Sequence, residues 1–399
     1  MIQRILVLGG GFAGLWSAIG AARALDALDV GADRVEIVLI DRAAWHSIRV
    51  RNYEADLGDT RVAFDSVLGP IGVRRIEGEV TGIDVAGRTV VYEARGERQT
   101  IAYDRLVFAL GSRLARPPIK GLVEHAFDVD THAGAARLNA HIATLKAGQS
   151  TVLVVGGGLT GIEAAAEMPG KLCAAGIASP HVILADHAAR VGAGMGEGAL
   201  PVIEEAFDAL GVERRGGVSI ASVDAQGAVL ATGERIAAAT VVWCAGMQAH
   251  PLTAQFPVER DRLGRLPVEP SLKIKGLAAE FAAGDCAWFL IDGEHSSVMS
   301  CQHGRPMGRF AGHNVVCDLL GRPLLPLRID GYVTILDLGP WGAVYTEGWD
   351  RRLVSRGAPA KRTKETINRE RIYPPRSGDR RAILDAAAPT VQAPPARLG

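Results

Sequence analysis

The chain has 399 residues, too many for one ordinary core, so two or three domains are expected. Hydrophobic residues at 48% and charged residues at 22% give a normal globular balance, and Lys+Arg equals Asp+Glu at 44 each, which argues against a dedicated nucleic-acid binder. Five cysteines, with no C-x-x-C and no dense cluster, point to a reducing compartment and argue against a disulfide framework or a zinc site.

The first predicted element is an apolar strand, Met1 to Leu8, running straight into Gly9-Gly-Gly11-Phe-Ala-Gly14, after which Leu15 opens a helix. Strand, G-x-G-x-x-G turn and helix start together form a dinucleotide-binding fingerprint in its required context. Gly9 permits the tight turn, Gly11 lets a pyrophosphate approach bare backbone, and Gly14 lets helix and strand pack closely. The helix N-terminus then offers free N–H groups and a positive dipole end to phosphates. A second strand, Arg34 to Asp41, ends in a carboxylate suited to the hydroxyls of a ribose, although a solvated strand-end Asp gives the same pattern. The loop from Arg42 to Glu54 gathers aromatic and basic residues; His46 within it is either a pocket residue or a plain packed histidine. Residues 80–91 alternate like a β-ribbon, Tyr103 to Gly111 is a buried strand ending in glycine, and Arg116-Pro-Pro118 reads as an interdomain linker.

The opening pattern then returns. Thr151 to Val155 leads into Gly156-Gly-Gly158-Leu-Thr-Gly161 and a helix, and the strand His181 to Asp186 again ends in a carboxylate. Met168-Pro169-Gly170 should end or kink that helix early. Asp186 favours a free 2′-hydroxyl over a 2′-phosphate, with Arg190 near enough to soften the preference. Thr240 to Gly246 repeats the strand–glycine element of Leu106 to Gly111, and Gly284-Asp285 follows a short strand. The run from Met299 to Cys317 looks helical from about Pro306, and residues 331–348 read as glycine-interrupted strands.

Residues 351–381 hold eleven Lys/Arg against three Asp/Glu. They read either as a solvated basic tail or as a segment drawn to anionic lipid at about 1 kcal/mol per basic residue. Residues 386–399 are Ala/Pro-rich and expected to be disordered. No apolar run approaches the roughly 18 residues of a membrane span, and the N-terminus lacks the layout of a signal peptide. A cytoplasmic protein is expected, or one peripheral to the cytoplasmic face of a membrane.

Two nucleotide units in series with a later Gly-Asp imply a bound flavin facing a diffusible nicotinamide. Over roughly residues 1–350 the chain resembles the two-dinucleotide-binding flavoproteins (the pyridine nucleotide-disulfide oxidoreductase superfamily), and among them type II NADH:quinone oxidoreductases. The resemblance implies an α/β fold of two Rossmann-like FAD/NAD(P)-binding domains, the NAD domain inserted in the FAD domain, plus a small C-terminal region. The corresponding boundaries are residues 1–115 and 247–326 for FAD, 116–246 for NAD(H) and 327–399 for the C-terminal region. It implies FAD on Gly9, Gly11, Phe12, Ala13, Gly14, Asp41, Arg42 and His46, with Gly284 and Asp285 at its ribityl or pyrophosphate portion. NADH falls to Gly156, Gly158, Gly161 and Asp186, with Gly111 and Gly246 where the chain passes between domains. Glu163 matches a family glutamate near the nicotinamide, or is an ordinary first-turn Glu. Gln302 is the candidate for a quinone carbonyl, but Pro306 stands where the family has a second glutamine.

The implied reaction passes hydride from NADH to FAD and then two electrons to an acceptor, with no acid–base dyad required. No cysteine precedes Cys173, which removes the disulfide-reductase reading; a sulfide:quinone type would have to use Cys173 with Cys301. A quinone is the leading acceptor, with a ferredoxin-like protein, oxygen or a non-catalytic NADH-sensing role as alternatives. A homodimer is compatible with all of these.

Overall fold

In the computed structural model, which describes residues 2–146 and 148–394, two five-stranded parallel sheets carry the architecture. The first contains β1 (Gln3–Leu8), β2 (Val35–Asp41), β3 (Arg74–Glu77) and β4 (Arg105–Phe108). The chain then leaves it and builds the second from β5 (Ala126–Phe127), β6 (Thr151–Val155), β7 (His181–Ala185), β8 (Val212–Arg215) and β9 (Thr240–Trp243). It returns with β10 (Glu280–Ala282), parallel to β4. The strand orders, β10-β4-β1-β2-β3 and β5-β9-β6-β7-β8, are spatially the same arrangement twice. One sheet is thus an insertion within the other. The segments that follow Gly111 and Gly246 pair side by side as an antiparallel ribbon, Ser112–Leu114 on Met247–Ala249. Ile5, Leu6, Val7 and Leu8 are fully buried, as a parallel strand covered on both faces requires.

Helix α1 (Phe12–Ala27) follows β1, α2 (Leu159–Ala174) follows β6, and α3 (Cys301–Leu319) lies against α1. Glycines at every fourth residue of α3 make that contact. A Cβ added at Gly308 would lie 2.3 Å from the Ala13 carbonyl, and one at Gly312 2.2 Å from the Ser17 carbonyl. From the other side, a Cβ at Gly20 of α1 would lie 2.9 Å from the Arg309 carbonyl. The two backbones touch.

Three expectations are corrected here. Helix α3 starts at Cys301, not near Pro306, and carries that proline inside it. An interior proline costs about 3 kcal/mol, but burying Met307, Phe310 and Ala311 against the first core offsets it at about 1.5–3 kcal/mol per large side chain. Helix α2 likewise continues through Pro169 to Ala174, with Met168 and Leu172 buried on either side of the break. The basic segment is not a solvated tail. It follows an antiparallel pair, β11 (Val333–Asp337) and β12 (Ala343–Glu347), and forms β13 (Arg352–Arg356), α4 (Gly357–Thr366) and α5 (Arg380–Ala386). Among the described residues at least six of its cations pair with carboxylates: Arg356 with Glu205, Lys361 with Asp337, Lys364 with Glu163, Arg376 with Asp59, Arg380 with Asp26 and Arg381 with Asp385. Of the end expected to be disordered, Ala386 closes α5 and Ala387 is buried, while residues 395–399 lie outside the described residues. No described helix is long and apolar enough to cross a membrane.

Candidate functional site

The first glycine turn is built for close backbone approach. Gly9 has φ +91°, and a Cβ there would sit 2.6 Å from the Ala109 carbonyl; one at Gly14 would sit 1.7 Å from the Gly9 carbonyl. Gly11 differs, because a Cβ there would meet nothing within 4 Å. It caps α1 without any side-chain hydrogen bond, so the first N–H groups of the helix face open space. Asp41, at the end of β2, accepts from the Gly10 N–H at 2.6 Å and the Ala43 N–H at 2.7 Å, and burial pushes its carboxyl up against those hydrogen bonds. Arg42 reaches outward, 3.8 Å from Glu79.

His46 lies under the turn. Fully buried and edge-on to the Phe12 ring, it sits with Nδ1 2.9 Å from the Gly10 carbonyl, so Nδ1 carries the proton and donates it. Burial holds this imidazole neutral, pulled down to about 4, and its Nε2 has no partner among the described residues.

The Gly-Asp element packs against this turn. Gly284 has φ +81°, and a Cβ there would come within 2.7 Å of the Ala13 Cβ. Asp285 accepts from Ser112 Oγ at 2.5 Å and lies 3.6 Å from Arg49, whose charge opposes the upward push of burial on the carboxyl. Arg49 also donates to Ser112 Oγ at 2.9 Å and pairs with Asp130. Arg49 belongs to the basic loop that the sequence singled out, but nothing there pointed to Asp285 or to Asp130 as its partners.

The second turn repeats the first. Gly156 has φ +114°, Gly161 packs on the Gly156 carbonyl, and Gly158 caps α2 over open space with no side-chain bond. Asp186 accepts from the Gly157 and Ala188 N–H groups. Arg190 does not turn toward it: its guanidinium is held by Glu204 at 2.9 and 2.8 Å, which corrects the expectation that it softens the Asp186 preference. The open approach glycines, the two uncapped helix ends and the orphaned His46 Nε2 fit a dinucleotide on each turn.

Glu163 lies buried one turn into α2, facing the C-terminal segment. Its Oε1 accepts from Lys364 Nζ at 2.7 Å and from the Asp337 N–H at 3.1 Å. Asp337 in turn accepts from Tyr53 Oη at 3.0 Å and from Lys361 Nζ at 2.5 Å. Burial pushes Glu163 up while the Lys364 ammonium opposes it. Burial also acts against the charge on Lys364, but Glu163 and Asp337 hold that lysine above its ordinary range. An acid–base pair is therefore present, although none was expected. Lys364 was hidden among eleven cations of similar spacing.

Gln302 and Cys301 begin α3 beside the first glycine turn and Gly284, since a Cβ at Gly304 would lie 3.8 Å from the Phe12 Cβ and 3.9 Å from the Gly284 Cα. The Cys301 thiol, pushed up by burial, feels the charges of both Lys364 and Asp285. The Gln302 amide nitrogen is buried with no partner among the described residues. All five cysteines are free, with Cys173 exposed in the last turn of α2.

Comparison with known proteins agrees with this geometry. The profile of the pyridine nucleotide-disulphide oxidoreductase family matches residues 3–308. An NADH dehydrogenase-like protein of Mycobacterium tuberculosis is 55% identical over 404 residues, covering 99% of this chain and 100% of that one. The type II NADH:quinone oxidoreductase Ndh of the same organism is 30% identical over 326 residues, covering 71% of this chain and 67% of its own length. Among solved structures, NDH2 from Plasmodium falciparum in complex with NADH superposes with a TM-score of 0.74 at 12% identity, covering 93% of this chain and 97% of that one.

Proposed function

The chain belongs to the pyridine nucleotide-disulphide oxidoreductase family, and on that premise we propose that it is an NADH dehydrogenase whose electron acceptor is a quinone. It is an NADH-oxidising flavoprotein with FAD and NAD(H) as cofactors. When bound, the flavin supplies the chemistry, taking hydride from nicotinamide and passing on two electrons. The residues proposed to hold it are those of the Gly9–Gly14 turn with Asp41, His46, Gly284 and Asp285; Gly156, Gly158, Gly161 and Asp186 would hold NADH. Asp186, with Arg190 tied to Glu204, favours NADH over NADPH.

The observation carrying the quinone reading is the orphaned Gln302 amide at the start of α3. A buried N–H donor without an acceptor costs about 1–3 kcal/mol, and a quinone carbonyl would satisfy it. Reducing a quinone to a quinol also consumes two protons. Lys364 Nζ, kept charged by Glu163 in the same neighbourhood, can hold one of them at the acceptor side. The test is steady-state NADH oxidation by the purified yellow protein with and without a short-chain quinone. Turnover that depends on the quinone, with a raised quinone KM in Gln302→Leu, supports the reading. No turnover with a quinone, ferredoxin or oxygen would sink it in favour of a sensing role.

A further inference from the structure

Along the flank of α1, that helix, α3 and the C-terminal segment line a cleft of about 560 Å³. Five arginines line it (Arg305, Arg309, Arg369, Arg371 and Arg376) against a single carboxylate, Glu370. Arg376 is already paired with Asp59 and Arg371 donates to the Ala393 carbonyl. The deepest two are different. Arg305 and Arg309, one turn apart on α3, lie only 8% and 7% exposed with their guanidinium groups 5.0 and 4.5 Å above the Trp16 ring. Arg309 has no hydrogen-bond acceptor among the described residues, and Arg305 reaches only Gln392 at 3.3 Å. The Nε of each is buried and unpartnered.

We propose that this cleft binds a phosphate-bearing anion, with Arg305 and Arg309 as its buried contacts. Two adjacent guanidinium groups repel each other, and burying them unpaired is costly, so a fold that keeps both facing one cavity needs a counter-charge there. The planar forks match phosphate oxygens in a two-point geometry, which a carbonyl or an apolar ligand would leave unused. The Trp16 ring lies against both guanidinium groups and lines the same cleft, a cation–π contact that helps to position them. The wall formed by Thr390 and Gln392 contributes polar groups but no carboxylate, and among the described residues Glu370 is the cleft's one acid. The ligand is either a soluble phosphorylated molecule or the headgroup of an anionic phospholipid; the chemistry is shared. This site is independent of which acceptor the flavin reduces.

The test uses FAD-loaded protein with NAD+ at saturation, so that the second glycine turn is occupied. Inorganic pyrophosphate is titrated calorimetrically, and phosphatidylglycerol vesicles are compared with phosphatidylcholine vesicles by co-sedimentation. The expected result is saturable binding of at least one anionic probe, weakened about ten-fold or more in Arg309→Gln and in Arg305→Gln, with NAD+ binding unchanged in both variants. Pyrophosphate alone would identify a soluble ligand, and vesicles a lipid. Should Arg309→Gln fail to fold, Arg305→Gln carries the same comparison. Binding of neither probe, or binding of wild-type strength in the folded variants, overturns the proposal.

Discussion

Replacing Lys364 with Met removes the cation from the Glu163–Lys364 pair and leaves a carboxylate buried among Tyr53, Asp337 and the walls of α2 and α4. Breaking a buried pair from one side costs about 3–5 kcal/mol. At roughly 2–4 °C per kcal/mol for a unit of 150–250 residues, 3 kcal/mol lowers the melting temperature by about 6–12 °C. The sign of the pH dependence follows from the direction of the Glu163 shift. Burial raises Glu163 above the ordinary 4.5, and without Lys364 only the Asp337 N–H opposes that rise. A folded-state value above the unfolded one means the variant keeps its full stability only below the ordinary value and loses it as pH rises from there through the folded-state value. The deficit of Lys364→Met relative to the parent therefore shrinks at pH 5 and widens toward pH 8. Removing both charges in Glu163→Gln/Lys364→Met recovers most of the loss, because the desolvation penalty goes with the second charge. The assay is thermal unfolding of the FAD-loaded protein, followed by circular dichroism from pH 5 to 8, for both single variants and the double. Additive single losses, or a deficit independent of pH, would refute the reasoning.

Four other outcomes are expected. Gly158→Val places its side chain in open space, so the protein folds with full FAD content but binds NADH at least about ten-fold more weakly, since the chain blocks the approach to backbone N–H groups; fluorescence titration with NADH reads this. Gly156→Ala, at φ +114° and against the Ala245 backbone, instead lowers the melting temperature. Asp186→Ser weakens NADH and relaxes selection against NADPH, measured as the ratio of kcat/KM for the two; an unchanged ratio would remove its assigned role. His46, ordinarily near 6.5 and pulled to about 4 in the fold, stabilises fully above pH 6.5 and progressively less as pH falls toward 4, a loss of up to about 3 kcal/mol. Stability of His46→Leu is then lower at pH 7 but falls less steeply in acid than that of the parent.

The legible part of the fold was the part written in backbone geometry. Gly14 and Gly161 occupy positions where a Cβ would collide with the carbonyl of Gly9 or Gly156 five residues back, a collision set by local spacing, while Gly9 and Gly156 take the left-handed turn and lie against the backbone of Ala109 and Ala245. Gly284, whose partner Ala13 is also far away in sequence, belongs with them, because a glycine after a buried strand is itself a sign of close approach. Contacts between charged side chains were not legible in this way. Arg49 reaches Ser112 and Asp130, and Lys364 reaches Glu163 across 201 positions; nothing near either residue marks it off from neighbouring cations. The prolines misled for a related reason. Pro169 and Pro306 were judged by local cost, while the helices around them are held by burial against elements elsewhere in the chain. Glycine spacing in α3 was the missed signal: Gly304, Gly308 and Gly312 announced a helix pressed on another helix.

The insertion of one sheet in the other also sets a timetable for the growing chain. Every strand of the second sheet lies between Ala126 and Trp243, so that sheet can close while the ribosome is still short of residue 280. The first sheet began earlier but must wait for Glu280–Ala282 to fill its edge. Glu163 waits longer still, since Lys364 follows it by 201 residues, a delay of about 10–40 s at 5–20 residues per second. Through that interval the guest is finished before its host, and the carboxylate that will face the C-terminal segment has only water to pair with.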